Sequence, residues 1–236
     1  MSAPKLRRVE DPDLAAVAAL IGDTSRSMML TALLGGETLS SSELARSASI
    51  TLATASAHLG RLVRARLLLV TIRARTRYYT LAGAHVASAL ESLATLAPRA
   101  SVPGSSPGEG ARVLRVARMC YDHLAGVLGV AVTDAMLARG LLRNRHGSFL
   151  LAMAGEAWVR GLGIPLDELA GARRPLVRAC LDWSERRPHL AGAVGAALAS
   201  HFLEEGWTAR VRASRALRLT DHGRAALARL LGVRLP

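Results

Sequence analysis

Residues 51–81, TLATASAHLGRLVRARLLLVTIRARTRYYTL, decide the fold. Thr51 offers a side-chain oxygen to the free N–H groups of a helix running to about Arg66. At 100° per residue that helix places Leu52, Ala55, Leu59, Leu62, Val63 and the stem of Arg66 on one inward face. The period then changes. Residues 67–73 (LLLVTIR) and 76–81 (TRYYTL) are rich in β-branched and aromatic side chains, and with only Ala74 and Arg75 between them they should pair as a hairpin. Working outward, residues 13–21 and 25–34 carry apolar residues at helical spacing, and Gly35-Gly36 stops the second run. Ser40-Ser-Ser-Glu43 supplies cap chemistry for a short helix over 42–47, and a helix over 82–96 closes the unit. Helix, helix, short helix, helix, hairpin, helix is a winged helix-turn-helix.

The outward face of the 51–66 helix carries Ala53, Thr54, Ala57, Gly60, Arg61 and Arg64, with Ser56 and His58 on its flanks. Small residues let a helix sit deep in a major groove, hydroxyl groups reach base edges, and arginines meet phosphate or guanine. A solvated alanine-rich face would look similar, so charge placement decides. Between Glu43 and Glu91 there is no acidic residue, while Arg46, Arg61, Arg64, Arg66, Arg73, Arg75 and Arg77 all fall inside. Arg73, Arg75 and Arg77 surround the hairpin turn, where a wing can set guanidinium groups against a minor groove or its phosphates. Duplex DNA suits this pattern better than RNA, for which an aromatic stacking platform is expected.

Charge number says less than charge placement. The 236 residues carry a formal +13, but only one of the thirty-one basic residues is a lysine, Lys5, in a chain rich in Ala, Arg, Leu and Gly. That bias fits a high-GC genome as well as it fits a polyanionic partner.

The segments Leu44-Ala45-Arg46, Ser56-Ala57-His58-Leu59-Gly60-Arg61-Leu62, Arg66-Leu67-Leu68 and Arg77-Tyr78-Tyr79-Thr80-Leu81 resemble the ArsR/SmtB group of bacterial repressors. The likeness covers residues from roughly 11 to 97. It implies a homodimer built largely on the helices around Ala15 and Ala87, bound to an imperfect palindrome and released by an inducer. Both of that group's usual metal sites are missing. The short helix Glu43-Leu44-Ala45-Arg46-Ser47 lacks a cysteine pair, and Gly83-Ala84-His85 offers one histidine without its partner. Sensing is therefore expected elsewhere.

Residues 98–110, PRASVPGSSPGEG, read as a linker between a DNA-binding and dimerisation unit (1–97) and a second unit (111–236). The second unit repeats itself. Residues 123–141 align without gaps on 189–207, with eight of nineteen positions identical, including His-Leu-Ala-Gly at the start of each. Each copy continues through a polar stretch, a short apolar strand and a helix opening with Gly155 or Gly223. The expected fold class is therefore mainly α (α+β). It joins an N-terminal winged helix-turn-helix to a C-terminal helical domain containing a duplicated, degenerate winged-helix-like unit, with repeats at about 112–164 and 178–233.

Two cysteines, Cys120 and Cys180, cannot make a disulfide framework and suit a reducing cytoplasm. Cys120-Tyr121-Asp122-His123 reads as helical, with Cys120 and His123 one turn apart on the same side. A thiolate and an imidazole so placed can bind a transition metal, zinc-like or softer. Cys180 can join them, with Asp122, Asp182 or His189 as a fourth ligand. Two alternatives stand beside this: a thiol-based redox or electrophile sensor, and cysteines that only fill a core. For His189, which recurs at the repeat position of His123, a structural task such as capping a turn with a ring nitrogen is expected ahead of ligation. Trp158, Trp183 and Trp207 are expected to fill the core of the second unit, or to line a pocket for an organic effector.

Other classes fare worse. The N-terminus has acids where the apolar run of a signal peptide would lie, and the longest uncharged run, 188–203, is short of the roughly 20 residues a membrane helix needs. No membrane partner is expected. Cys120 with His123 can be drawn as nucleophile and base, but no paired carboxylates or phosphate-cradling loop accompany them. The glycines of Leu-Ala-Gly-x-x-Gly fall in helical stretches, not after a strand. The expected function is a DNA-binding transcriptional regulator with double-stranded DNA, a second copy of itself and a small inducer or metal ion as partners. The alternatives are an architectural DNA-binding protein without an effector and, further off, a Cys/His enzyme.

Overall fold

The computed structural model describes residues 12–97, 109–171, 174–212 and 214–235. Most of the proposed 98–110 linker lies outside the described residues. Oxygen side chains start every helix before the hairpin. Asp13 accepts from the Ala16 N–H to cap α1 (Leu14–Ile21), and Asp23 from Arg26 to cap α2 (Thr24–Leu33). Ser40 and Glu43 form a reciprocal capping box on α3 (Ser41–Ser47), and Thr51 caps α4 (Leu52–Arg64). β1 (Leu39–Ser40), β2 (Leu68–Arg73) and β3 (Thr76–Leu81) make an antiparallel sheet in the order β1-β3-β2, and α5 (Ala84–Leu96) follows. Ala74 and Arg75 both have positive φ, 43° and 69°, the twist that a two-residue hairpin turn demands.

The winged helix-turn-helix is therefore present, with two corrections on α4. Leu52 is 54% exposed instead of packing inward, because it occupies the first turn, beyond the reach of the core. Arg66 does not extend the helix. Its φ is 58°, its N–H bonds Val63 O, and the Leu67 N–H reaches back to Leu62 O, a left-handed stop that turns the chain into β2. Ala55, Leu59 and Leu62 are fully buried, against Met29, Leu30, Leu33, Leu44, Tyr79 and Val86.

After α6 (Glu109–Val116) the chain runs twice through one sequence of elements. The first pass is hairpin β4 (Arg118–Cys120) and β5 (His123–Ala125), helix α7 (Gly126–Ala138), hairpin β6 (Leu142–Arg145) and β7 (Ser148–Leu151), and helix α8 (Met153–Gly161). A short α9 (Leu166–Ala170) intervenes. The second pass is β8 (Arg178–Leu181), β9 (Pro188–Ala191), α10 (Gly192–Glu204), β10 (Thr208–Arg210), β11 (Leu217–Leu219) and α11 (Asp221–Leu231). Both passes contribute to one core, with Leu128, Val132 and Met136 of α7 beside Val194, Leu198 and Phe202 of α10. Trp207 is buried in it, 4.8 Å from the Phe202 ring, whereas Trp158 lies at its margin.

The passes are interlocked: α7 packs on β9 and α10 packs on β5. The Leu-Ala-Gly-x-x-Gly sequences explain how. Gly126 and Gly192 turn each strand into its helix at φ 76° and 91°. One turn later, a Cβ on Gly129 would overlap the Leu124 carbonyl, and one on Gly195 would come within 2.6 Å of the Leu190 carbonyl. Bare backbone at these points lets each helix lie against the histidine of the opposite pass: His189 Cβ beside Gly129, His123 Cβ beside Gly195.

The helical reading of Cys120-Tyr121-Asp122-His123 is wrong. Cys120 pairs with His123 across a two-residue turn in which Tyr121 has φ 61°. Three-residue strands with a turn lacking glycine carry too little pattern to outweigh the helical periodicity of α7 just beyond. This turn also touches the N-terminal unit. The Tyr121 N–H donates to Leu34 O at 2.6 Å, just past α2, and its side chain packs against the N-terminal core. Arg215, preceding β11, makes a buried ion pair with Glu91 of α5, and Arg210 of β10 bonds Glu37 at 3.0 Å.

Candidate nucleic-acid interface and metal centre

On α4 the side chains of Thr54, Ser56, Ala57, Arg61 and Arg64 are exposed together, and so are Arg73, Arg75 and Arg77 at the wing. Thr54 shares a 2.9 Å hydroxyl bond with the Thr51 cap, and Ser56 Oγ donates back to Leu52 O. Both hydroxyls retain lone pairs toward solvent. His58 is a different case from the rest of this set. It is half-buried and turned to α2, with Nδ1 3.1 Å from an Arg26 guanidinium nitrogen and 3.9 Å from Asp23. The buried Arg26 also donates to Leu20 O at 2.6 Å and Ala19 O at 2.8 Å. Sequence reading overlooked this bracket. It binds the end of α1 to α2 and α4 and fixes the pose of the exposed face. The Asp23 carboxyl is held below its usual range, first by the Arg26 N–H it caps and then by the charge of Arg26.

In the second core, the hairpins β4–β5 and β8–β9 occupy corresponding registers, Cys120 opposite His123 and Cys180 opposite His189. The pairing brings both cysteines and both histidines into one cluster whose donor atoms all lie within 4.8 Å of one another. Cys120 Sγ is 3.9 Å from Cys180 Sγ, and His123 Nε2 is 3.1 Å from His189 Nε2. Cys120, His123 and His189 are buried; Cys180 sits half-exposed at the edge.

Asp122 and Asp182, each weighed as a ligand from sequence, stand one layer out. Asp122 Oδ1 meets His123 Nδ1 at 3.0 Å, and its Oδ2 accepts from Arg174 at 2.7 Å. Asp182 Oδ2 lies 3.1 Å from His189 Nδ1, an ion-pair contact without hydrogen-bond geometry, and accepts from the Gly126 N–H at 2.7 Å. Its Oδ1 accepts from Arg118 at 2.8 Å and from the Ser184 hydroxyl at 2.7 Å. Arg118 is wholly buried and lies 4.3 Å from the Trp183 ring centre. Each carboxylate is thus paired with an arginine far away in sequence, Asp122 with Arg174 just ahead of β8 and Asp182 with Arg118 of β4.

Burial alone would raise the Asp182 carboxyl, but His189, Arg118 and the Gly126 N–H outweigh it and hold it well below the ordinary range. Asp122 moves the same way: His123 and Arg174 overcome its burial. For His189, burial works against the charged ring, while Asp182 and Cys180 favour it more strongly and raise it overall. The cysteines divide. Cys120, as donor to Cys180 and buried, goes up, and Cys180 goes down, as acceptor from Cys120 and the neighbour of both imidazoles.

Comparison with known proteins matches residues 21–71 to a family model described as a helix-turn-helix domain. The Uncharacterized HTH-type transcriptional regulator YdfF of Bacillus subtilis (strain 168) is 38% identical over 225 residues, 95% of this chain and 100% of that one. Among solved structures, HlyU from Vibrio cholerae N16961 is 28% identical and spans 35% of this chain and 88% of its own, with a TM-score of 0.33. The cadmium metal-sensor CMTR from Mycobacterium tuberculosis is 28% identical over 41% of this chain and 99% of its own, with a TM-score of 0.32. No helix among the described residues is long and apolar enough to cross a membrane.

Proposed function

The chain belongs to the HTH-type transcriptional regulators, and from that premise we propose a dimeric, ArsR-like repressor that leaves a palindromic operator when its C-terminal half senses an inducer. One observation carries the DNA-reading part. The exposed side of α4 offers small and hydroxyl residues followed by Arg61 and Arg64, continuous in charge with Arg73, Arg75 and Arg77 at the wing, and no acid falls between Glu43 and Glu91. Such a surface is shaped for a major groove and charged for its phosphates.

Dimerisation is supported by what α1 and α5 leave uncovered. Leu14, Val17, Leu93 and Leu96 are exposed, and a shallow apolar groove lined by Val17, Ile21, Val86 and Leu90 runs between the two helices. A second copy there would bury these residues and set two reading helices about a twofold, matching a palindrome. Control from the C-terminal half is supported by the Tyr121 bond to Leu34, which joins the Cys120–His123 turn to the end of α2, a helix packed on α3 and α4. The inducer is a metal ion or a thiol-reactive species acting at Cys120, His123, Cys180 and His189. The protein is read as a binding protein, not an enzyme, and its place of action as the cytoplasm.

Selection of binding fragments from genomic DNA, followed by anisotropy titration, tests the reading. Arg61→Ala or Arg64→Ala should lose about 1–3 kcal/mol where the arginine meets a base, and each lost phosphate contact should flatten the salt slope by about one. An Arg61→Ala/Arg64→Ala double variant with wild-type affinity would remove the proposed reading face.

A further inference from the structure

We propose that Cys120, His123, Cys180 and His189 together hold one divalent cation of the zinc class (zinc, cobalt or cadmium) in a closed four-coordinate site, oriented by Asp122 and Asp182. That this ion is the inducer rests on the regulator reading; that it binds does not.

Distances come first. Around an ion with bonds of about 2.3 Å to sulfur and about 2.0–2.1 Å to nitrogen, a tetrahedron sets the two sulfurs about 3.8 Å apart and the two nitrogens about 3.3 Å apart. The sulfurs here are 3.9 Å apart and the facing nitrogens 3.1 Å. A disulfide would need about 2.05 Å, so these are two separate donors.

Direction comes second. Asp122 bonds His123 Nδ1 at 3.0 Å, which assigns the His123 ring proton to Nδ1 and frees its Nε2 lone pair, while Asp182 stands 3.1 Å behind His189 Nδ1 and the two Nε2 atoms face one another. A cation between the two Nε2 atoms would take a lone pair from each imidazole, in place of the 3.1 Å contact they make with one another. A carboxylate behind each imidazole is the usual outer layer of a metal-bound histidine.

Charge decides the valence. Asp122 is matched by Arg174 and Asp182 by Arg118, so neither carboxylate is spare. What remains is two thiolates and two neutral imidazoles, which together neutralise a dication. Two sulfurs and two nitrogens select zinc-class or softer ions over magnesium or calcium. With all four positions taken by protein, the centre keeps no open position for a catalytic water. Cys180, at the rim, is the way in.

The test uses the reduced, chelator-treated full chain titrated with cobalt(II). The expected result is one cobalt per chain, with thiolate charge-transfer absorption, the intense visible bands of a tetrahedral ion, and displacement by zinc. Cys180→Ser should lose a large part of the charge-transfer intensity and at least tenfold in affinity. Asp122→Asn, at a half-buried position where folding is safe, should weaken binding by about 10–100-fold and keep the tetrahedral spectrum. A pale, six-coordinate spectrum, or thiolate bands surviving in a Cys120→Ser/Cys180→Ser variant, would overturn the assignment. Peroxide closing a Cys120–Cys180 disulfide in a protein that binds no cobalt would also overturn it, in favour of the redox alternative. Selective DNA binding without any cobalt uptake would sink the metal centre and leave the regulator standing. Cobalt bound as described in a chain that selects no DNA would do the reverse.

Discussion

Arg118→Met should cost the protein about 3 kcal/mol of stability. The guanidinium is fully buried, donating to Asp182 Oδ1 at 2.8 Å, to the Ser184 hydroxyl at 3.0 Å and to Leu114 O at 3.3 Å, above the Trp183 ring. Methionine fills much of the same volume, so a cavity contributes little, and what is lost is the cation opposite a buried carboxylate. Breaking such a pair from one side costs about 3–5 kcal/mol. Asp182 keeps the N–H groups of Gly126, Ser184 and Glu185, which places the expectation at the lower end. Three kilocalories is more than a hundredfold in the folding equilibrium, at about 1.4 kcal/mol per decade. The assay is urea unfolding at neutral pH in the presence of chelator, followed by tryptophan fluorescence and far-ultraviolet circular dichroism. Asp182→Asn and the Arg118→Met/Asp182→Asn double variant complete a cycle, and the double variant should lose less than the two singles combined by at least 1 kcal/mol. A loss below about 1 kcal/mol for Arg118→Met, or strict additivity, would refute the claim that this pair is one buried electrostatic unit.

The same carboxylate predicts an acid limit. Because its folded pKa lies below the unfolded one, Asp182 contributes stability that is complete above the ordinary carboxylate range and lost as pH falls below about 4; acid titration of Arg118→Met should show a shallower loss over that interval. Ser40→Ala removes the capping box that starts α3 and should cost about 0.5–2 kcal/mol, read from thermal unfolding. Gly195→Ala drives a methyl toward the Leu190 carbonyl and should cost about 1–3 kcal/mol while disturbing the cobalt spectrum, since α10 there abuts His123. Gly36, at φ 73°, has no room for a Cβ beneath the Tyr121 carbonyl. Gly36→Ala should therefore leave operator affinity within threefold of wild type yet abolish most of the inducer response; an intact response would remove Tyr121 from the route between the two halves.

The winged helix was legible because its signals are local and redundant: oxygen caps at Ser40 and Thr51, a change of period after Arg66, and a two-residue turn between two strands rich in β-branched and aromatic residues. Leu52 was misplaced because periodicity cannot say where a helix overruns its core. The repeat was visible from His123 and His189 onward, where helices preserve an ungapped register. It was invisible just upstream, because the two hairpins differ in turn length, Tyr121–Asp122 in one and a loop beginning at Asp182 in the other. Lining up Arg118-x-Cys120-x-Asp122 with Arg178-x-Cys180-x-Asp182 would have recovered it and set both carboxylates behind the histidines. Arg26 and Arg118 could not be read at all. A buried arginine looks like any other in a chain with this many, and only its partners, scattered along the sequence, give it a task.

The division of the four donors, one sulfur and one nitrogen from each hairpin, has a further consequence. Half of this unit, standing opposite its own duplicate about a twofold axis, would already carry a full coordination sphere. Fusion of two such halves in tandem turns what would be a bond between separate molecules into a clasp within one. Ion capture then no longer depends on protein concentration, and each half becomes free to specialise: Arg118 is locked inside, whereas Arg178, its counterpart, stays near the surface.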